Sequence, residues 1–580
     1  MNRIHQEFTS FRWRSLSYYT LIEQVCACRE GTGTTGTVPA ANLPDRASRR
    51  PPFVDTPTLF FSTVVLFSAP FYNTNVLNKK RRGRRLRNTE IWLAVANLAI
   101  LIFACRGALK RRRRSAAAFA VSAGLLIVHL VVEGARWEMI PLYALTLLPA
   151  VLLLRSRRTE RQEKAGRHRP GIRIAAGAAA LLYGSAAVML PIALPVFKFE
   201  PLEGPYRVGT VTYAWTDESR PQVHAQSSGK RRELLVQFWY PADAKASDKP
   251  APYLEHPRAF AEALGRSENI PALLFDSMRL VRSRSIPDAP LSAEKPKYPV
   301  VIYSHGNRGW SGQSTFLTEQ LASRGYIVVG IEHAGGTNTT VFPDGTIMPF
   351  YADAGQTLDN GAFDRLADEV WVPDVKFVLD KLEEVADSGG TSTKANTGEA
   401  AGMFAGSLDL ERAGIVGYSL GGAAAVQMLL GDERLRAGID MDGGFYGSLR
   451  APEGIGRPFM LIRADGTFAP DAMSEEQLAA IGASREQYEA TVGELLKRQA
   501  RAAEGGNYVL TLRHADHTSF SDAPLYSPLL SAASGLDALG AHRVIESYAA
   551  AFFDKYLKGE PSELPALEAN EGTEHTLIKG

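Results

Sequence analysis

The chain has 580 residues, more than one compact domain usually holds. Its net charge of +3 conceals two different halves: residues 1–198 carry 30 Lys and Arg against 10 Asp and Glu, a net of +20, and residues 199–580 carry 35 against 52, a net of −17. The acidic half disfavours nucleic acid as a partner. All three cysteines lie at or before residue 105, which excludes a disulfide, a thiolate metal site and a cysteine nucleophile from that half.

Residues 1–88 have the composition of a poorly structured extension. Residues 40–57 resemble a linker, and residues 79–87 contain seven basic residues. Two explanations stay open. Either the native chain starts near residues 86–90 and the upstream residues are a mis-assigned extension, or they form a targeting or regulatory arm. No signal peptide with a small-residue cleavage site is visible.

Four apolar segments follow and predict a transmembrane region over residues 89–198. Each is close to the length that an α-helix needs to cross about 30 Å of hydrocarbon. The alternative is a soluble bundle, whose helices usually show a polar face. The four segments are residues 91–109, 115–132, 139–154 and 174–196.

The loops between these segments predict their orientation. Residues 106–114 carry six basic residues, residues 133–138 carry two acids and one arginine, and residues 155–173 carry eight basic residues. Because basic loops remain in the cytoplasm, we expect the chain after residue 196 to lie outside the cytoplasmic membrane. The basic run before the first segment conflicts with this orientation. His129, near the end of the second segment, is either an interfacial residue or a functional one.

Strands alternate with helices over residues 199–580, which predicts an α/β domain with a mostly parallel sheet. In such sheets, ligands bind at the C-terminal ends of the strands. Residues 387–405 are predicted as a surface loop, and the charged helical region 473–503 as a surface helix pair or a lid. Predicted strands cover residues 234–241, 298–306, 326–331, 413–416, 437–442, 458–463 and, as the final strand, 508–512; predicted helices cover residues 315–324, 364–384 and 544–557.

The sequence G-Y-S-L-G at residues 417–421 lies between an apolar strand and a run of small residues. That context is typical of a nucleophile elbow, which presents a serine hydroxyl on a tight strand-to-helix turn. The flanking glycines avoid collisions with the neighbouring strand and helix. The alternative is a glycine-rich turn with an idle serine. If the first interpretation holds, Ser419 is a nucleophile.

A serine nucleophile needs a general base, and in this fold class the order along the chain is serine, acid, histidine. His517 lies just after the last predicted strand, where the base is expected. His514 is the nearest alternative, but it follows the strand directly. His542 and His575 are interpreted as surface residues.

Three acids are candidates for orienting the base. Asp442 ends the strand after the elbow helix, Asp440 lies two residues earlier, and Asp465 follows the next strand. These residues alone do not decide among the three.

A tetrahedral intermediate needs two backbone N–H donors. Leu420, directly after the nucleophile, supplies one. The loop after residues 304–306 supplies the other, most simply through Asn307. His305 lies in the same loop and precedes the serine, so we interpret it as structural.

Several stretches together resemble the plasma-type platelet-activating factor acetylhydrolase family and its bacterial relatives. The resemblance covers residues 201–558 and implies an α/β-hydrolase fold with a Ser-Asp-His triad and no metal or other cofactor. It implies that Ser419 is the nucleophile, Asp442 the acid, His517 the base and Asn307 the second oxyanion donor. The matching stretches are G-P-Y-R-V-G at 204–209, L-V-Q-F-W-Y-P at 235–241, Y-S-H-G at 303–306, I-E-H at 331–333, G-Y-S-L-G-G at 417–422, G-I-D-M-D at 438–442, and His517 with Phe520 and Asp522.

The chain departs from the family at Tyr418, where histidine is common, and at residues 334–336, where charged residues are common. The combined expectation is a membrane-anchored serine esterase, with residues 199–580 as the catalytic domain outside the membrane. The expected substrates are small esters or short-acyl or oxidised phospholipids, of the 1-alkyl-2-acetylglycerophosphocholine esterase type. The alternative from another class is a membrane sensor or binding protein whose hydrolase domain is inactive.

Overall fold

The structure, a computed structural model, describes residues 86–580 apart from short gaps. The predicted extension 1–88 therefore lies almost wholly outside the described residues. From Arg85 to the end, the chain groups as one unit by its internal contacts. The gaps are residues 107–108, 110, 160–169, 223–228, 246, 352–359, 389–397, 450–453, 470–471, 481, 562–563 and 565–573.

Four helices occupy the predicted transmembrane region, and all four are long and apolar enough to cross a membrane. They pack around a small core that includes Leu93 and Leu142, while other large apolar side chains such as Val131 and Leu182 face outward. An apolar outer face is typical of a membrane-spanning bundle. The helices are α1 (Asn88–Cys105), α2 (Arg112–Val132), α3 (Ile140–Thr159) and α4 (Pro170–Ala193).

A buried ion pair closes the end of this bundle that meets the α/β half. Arg136 donates from Nε and Nη2 to the two carboxylate oxygens of Glu90, at 2.8 and 3.0 Å. Its Nη1 donates to the carbonyl oxygen of Leu194, just after α4, at 2.7 Å. Arg136 therefore joins the start of α1 to the end of α4.

The α/β half contacts the same end of the bundle directly. Arg279 Nη2 donates to the carbonyl oxygen of Ala135 at 2.6 Å. Ser527 Oγ donates to the carbonyl oxygen of Ala193 at 2.6 Å. The four helices are thus packed against the α/β half.

A ten-stranded sheet forms the centre of the α/β half, in the order β12-β11-β10-β9-β8-β4-β5-β2-β1-β3. The six strands from β11 to β5 are parallel to one another, and β2 and β12 are antiparallel to their inner neighbours. The strands are β1 (Arg207–Pro221), β2 (Arg231–Ala242), β3 (Ile286–Pro287), β4 (Tyr298–Ser304), β5 (Ile327–Glu332), β8 (Leu408–Tyr418), β9 (Leu435–Met441), β10 (Phe459–Ala464), β11 (Tyr508–Leu512) and β12 (His575–Lys579), with a separate hairpin of β6 (Thr339–Val341) and β7 (Ile347–Pro349).

Helices cover the faces of the sheet, as an α/β-hydrolase fold requires. The predicted mostly parallel fold is confirmed. The helices are α5 (Pro257–Ser267), α6 (Thr315–Ser323), α7 (Asn360–Leu366), α8 (Val372–Asp387), α9 (Gly398–Phe404), α10 (Leu420–Gly431), α11 (Glu475–Ala480), α12 (Arg485–Ala503), α13 (Pro528–Ser534) and α14 (Ala538–Phe553), with 3₁₀ turns at Ala272–Leu280, His517–Phe520 and Ala523–Leu525 and π turns at Ala367–Trp371 and Asp554–Lys558.

Two details of the predicted α/β order are wrong. The stretch 387–405 contains α9, which is held to the core by Phe404, because the ring of Phe404 stacks on Phe238 at 4.7 Å between centroids. The predicted final strand is followed by β12, which pairs with β11 along its whole length. His575 on β12 is half-buried and hydrogen-bonds to Tyr548 Oη at 3.2 Å, so it is not a simple surface residue.

We expect Phe404→Ala to lower stability by about 3–5 kcal/mol, because Phe404 is fully buried and stacked in the core. For a domain of this size, that change corresponds to a fall of roughly 4–6 °C in the thermal midpoint. Thermal unfolding of the detergent-solubilised full chain measures it, with Phe404→Leu as the control that keeps most of the volume. A wild-type midpoint for Phe404→Ala would show that α9 does not belong to the core.

Candidate active site

Ser419 occupies a strained turn between β8 and α10. Its backbone has φ 56° and ψ −119°, outside the regions that non-glycine residues favour. A Cβ at Gly421 would overlap the carbonyl oxygen of Ser304, and a Cβ at Gly417 would overlap that of Gly421. The two glycines of the predicted elbow are thus required by close backbone approach, and the turn presents the Ser419 hydroxyl above the sheet.

The structure brings Ser419, His517 and Asp442 into one hydrogen-bonded chain. His517 Nε2 lies 2.9 Å from Ser419 Oγ, and His517 Nδ1 lies 2.8 Å from Asp442 Oδ2. If the His517 Nδ1–H donates to the carboxylate oxygen of Asp442, Nε2 is left to accept from the serine hydroxyl. Asp442 is fully buried, whereas Ser419 and His517 are each 8% exposed. The arrangement therefore matches a nucleophile, a base and an orienting acid.

Two further donors hold the carboxylate of Asp442. The Ala464 N–H donates to Oδ1 at 2.9 Å, and Thr467 Oγ1 donates to Oδ2 at 2.6 Å. Asp442 itself has a left-handed φ of 57°, which turns its side chain toward His517 at the end of β9. The sequence reasoning missed Thr467, since it lies 25 residues beyond Asp442 in a loop without a motif.

The other two acids do not reach His517. Asp440 lies beneath the elbow, where its Oδ1 accepts from the Gly443 N–H at 2.8 Å. Burial raises the pKa of Asp440 well above its ordinary value, which favours a neutral carboxyl group. Asp465 follows β10 and is exposed. Of the three candidates, Asp442 alone is hydrogen-bonded to the imidazole.

The remaining histidines lie apart from this chain of hydrogen bonds. His514 is exposed, with a left-handed φ of 59°. His542 is buried rather than on the surface: its ring stacks on Phe316 at 3.8 Å, and its Nε2 donates to the carbonyl oxygen of Ser521 at 3.0 Å. The surface interpretation of His542 was wrong because α14 packs this face into the core.

The expected oxyanion donors flank the serine. Leu420 is the first residue of α10, where a backbone N–H has no intrahelical acceptor. Asn307 lies in the loop after β4, and this loop is pressed against the nucleophile, since a Cβ at Gly306 would lie 2.9 Å from Ser419 Cβ. Both N–H groups therefore belong to segments that border Ser419.

Tyr418, the residue directly before Ser419, contacts His517. Its hydroxyl donates to the carbonyl oxygen of His517 at 2.8 Å, and the two rings lie 5.1 Å apart. Tyr418 thus holds the backbone of His517.

The charged region 473–503 forms the helix pair α11 and α12, separated by a turn in which Ser484 caps α12. Gln499 Nε2, on α12, donates to the carbonyl oxygen of Gly443 at 3.0 Å. Arg498 forms an ion pair with Asp364 at 3.0 Å. The pair is therefore packed on the loop that follows Asp442.

One cluster outside this site has the donor atoms of a metal site. Glu90, His129 and Glu133 offer ligand atoms within 4.8 Å of one another. Both carboxylates are already engaged, Glu90 by Arg136 at 2.8 Å and Glu133 by the Thr89 N–H at 3.0 Å. His129 is buried and hydrogen-bonded to Tyr143 Oη at 2.7 Å. The cluster is thus an internally paired polar network.

The fold and the Ser–His–Asp arrangement define an α/β-hydrolase. Comparison with known proteins is more specific. Residues 193–346 match the family model described as "Platelet-activating factor acetylhydrolase, isoform II". This match supports the resemblance to the platelet-activating factor acetylhydrolase family that the sequence predicted.

The relatives are distant. The chain is 26% identical over 255 residues to the platelet-activating factor acetylhydrolase of Cavia porcellus, which covers 41% of this chain and 54% of that protein. It is 28% identical over 155 residues to the enzyme of Bos taurus (25% and 35% covered). It is 26% identical over 149 residues to a probable 1-alkyl-2-acetylglycerophosphocholine esterase of Arthroderma benhamiae (26% and 32%). The chain spans about half the length, or less, of these relatives.

A solved structure supports the fold. The ferulic acid esterase from Streptomyces cinnamoneus superposes with a TM-score of 0.50 at 26% identity, covering 66% of this chain and 99% of that chain.

Asp442→Asn is expected to lower kcat about 10³- to 10⁴-fold, because the amide no longer favours the tautomer of His517 that accepts the serine proton. Asp465 is an exposed acid in the next loop, and Asp465→Asn should change kcat less than about twofold. Steady-state hydrolysis of p-nitrophenyl acetate measures both. A larger loss for Asp465→Asn than for Asp442→Asn would overturn the assignment of the acid.

Proposed function

We propose that this chain is a membrane-anchored serine ester hydrolase that works through an acyl-enzyme. The observation that carries the proposal is the hydrogen-bonded chain from Ser419 through His517 to Asp442, with distances of 2.9 and 2.8 Å, at a strained elbow. The family match and the esterase neighbour support the same chemistry. The aligned serine, histidine and aspartate favour an enzyme over the alternative of a sensor with an inactive hydrolase domain.

In the acylation step, Ser419 Oγ attacks the ester carbonyl carbon while His517 Nε2 takes the hydroxyl proton. Asp442 stabilises the imidazolium that forms and keeps His517 oriented. The N–H groups of Leu420 and Asn307 hold the negative oxygen of the tetrahedral intermediate. His517 then gives its proton to the leaving alcohol.

In the deacylation step, water attacks the acyl-enzyme and His517 again acts as the base. The proton passes to Ser419 Oγ as the carboxylic acid departs, which regenerates the free enzyme. The two half-reactions use the same oxyanion donors, so one rigid site serves both.

Two parts of the chain have distinct roles in this proposal. Residues 89–198 anchor the protein in the cytoplasmic membrane, and residues 199–580 form the catalytic domain on the outer side. The basic loops support this orientation. Ser527, ten residues after His517, is hydrogen-bonded to Ala193 at the end of α4, which supports an active site close to the lipid surface.

The proposed substrates are esters with short or oxidised acyl chains, including phospholipids. Two relatives are named platelet-activating factor acetylhydrolase, and a third is named a probable 1-alkyl-2-acetylglycerophosphocholine esterase. A site close to the membrane favours an ester that is delivered from lipid.

Ser419→Ala should abolish hydrolysis of p-nitrophenyl acetate by the detergent-solubilised full chain, because it removes the nucleophile. Ser474→Ala, which changes an exposed serine before α11, is the matched control and should keep wild-type kcat. A panel of p-nitrophenyl esters from two to twelve carbons then measures the acyl preference. Equal rates for Ser419→Ala and wild type would defeat the proposed function.

An alkaline phosphatase fusion tests the orientation. We expect a fusion after Phe199 to be active, because this enzyme folds only outside the cytoplasm, and a fusion after Lys110 to be inactive. The reverse pattern would place the catalytic domain inside the cell and contradict the localisation.

A further inference from the structure

A second Ser–His–Asp arrangement lies behind the oxyanion loop. Ser304 Oγ is 2.9 Å from His333 Nε2, and His333 Nδ1 is 2.9 Å from Asp374 Oδ2. All three residues are fully buried, so no substrate reaches Ser304. This set, which we call the buried triad, therefore has a role other than nucleophilic attack.

Charge balance decides where the protons of the buried triad lie. Burial opposes ionisation of Asp374, but Arg232 and the hydrogen bond from His333 outweigh burial and hold its pKa below the ordinary value. Burial lowers the pKa of His333, which leaves its imidazole neutral. Because Asp374 is an acceptor, the proton of His333 sits on Nδ1, and Nε2 accepts from Ser304.

The buried triad holds His305 through the backbone. The His333 N–H donates to His305 Nε2 at 3.0 Å, so Nε2 carries no proton. Burial lowers the pKa of His305 well below its ordinary value, and the ring is neutral. Its single proton is therefore on Nδ1, which donates to the carbonyl oxygen of Gly306 at 2.6 Å.

That carbonyl belongs to the peptide unit whose N–H is the second proposed oxyanion donor. The Gly306 oxygen also accepts from the Gly309 N–H at 2.9 Å. In a trans peptide the C=O and the N–H point in opposite directions, so two donors on the Gly306 oxygen direct the Asn307 N–H to the other side.

The preceding peptide unit is held at both ends. Trp371 Nε1 donates to the His305 carbonyl oxygen at 3.2 Å, and the Gly306 N–H donates to Gln313 Oε1 at 3.2 Å. Among the described residues, the Asn307 N–H has no hydrogen-bond acceptor. Of the four polar ends in these two peptide units, three are held by the protein.

We propose that His305, held by the buried triad, is a positioning residue that keeps the Gly306–Asn307 peptide with its N–H directed at the oxyanion. This role rests on the proposed function, since it needs a tetrahedral intermediate beside Ser419. The histidine acts only through the peptide that it orients and does not touch the substrate.

The pair His305→Asn and His305→Gln tests this role, because each variant keeps the hydrogen bond of one imidazole nitrogen and loses that of the other. An asparagine amide takes the place of Nδ1 and still donates to the Gly306 oxygen. A glutamine amide takes the place of Nε2 and still accepts from the His333 N–H. We expect His305→Gln to lower kcat about 10- to 100-fold with KM unchanged, less than the loss from removing an oxyanion donor outright. His305→Asn should stay within about threefold of wild type.

Inhibition by phenylboronic acid is the readout that a purely structural role would not move. Its tetrahedral adduct with serine places an oxygen in the oxyanion site, so its Ki should rise in His305→Gln by the same factor as kcat falls. Arg258→Gln, which removes an exposed ion pair with Glu262 on α5, is the control and should leave kcat and Ki unchanged. Activity of His305→Gln equal to or above that of His305→Asn would overturn the proposal.

The outcomes separate this proposal from the function on which it rests. An active Ser419→Ala defeats both. An inactive Ser419→Ala with wild-type His305→Gln defeats the positioning role alone. If His305→Gln does not fold by circular dichroism, Gln313→Met removes the acceptor of the Gly306 N–H at a half-buried site. An unchanged kcat in that variant would also count against a positioned loop.

Discussion

Close approach of three backbone segments around Ser419 is the constraint on which the rest of the site depends. There is no room for a side chain at Gly421, where α10 meets the carbonyl oxygen of Ser304, and little at Gly306. The strand β8 can therefore turn directly into α10 only if Ser419 adopts a left-handed φ of 56°. The surrounding packing maintains this strain, and the result is a hydroxyl with an amide-bearing segment on each side.

The order of the parallel strands supplies the remaining groups. Strands β8, β9, β10 and β11 are neighbours, so the loops after them meet at one edge of the sheet. Asp442 follows β9 and is held by the N–H of Ala464 at the end of β10, and His517 comes from the loop after β11. Each member of the site is thus fixed by a different strand, and Tyr418 ties the base back to the elbow through the carbonyl of His517.

The four-helix bundle and the α/β half share a hydrogen bond, from Ser527 at the start of α13 to the carbonyl oxygen of Ala193. Arg136 joins the same end of the bundle to Glu90 on α1. The four helices are therefore packed on the α/β half through polar contacts at one end of the bundle.

The sequence by itself determined the features that depend on near neighbours: four apolar helices, the strand–turn–helix around Ser419, and the order of serine, acid and histidine. It also carried the family resemblance. The resemblance implied Asp442, but the residues by themselves left Asp440 and Asp465 open. The tertiary structure shows which carboxylate the folded loops bring to His517, and that is Asp442. The tertiary structure alone also showed several contacts between residues 25 or more positions apart. These are the hydrogen bond from Thr467 to Asp442, the stacking of Phe404 on Phe238, the pairing of β12 with β11, and the buried triad of Ser304, His333 and Asp374. Such contacts depend on how the sheet packs and leave no local pattern in the chain.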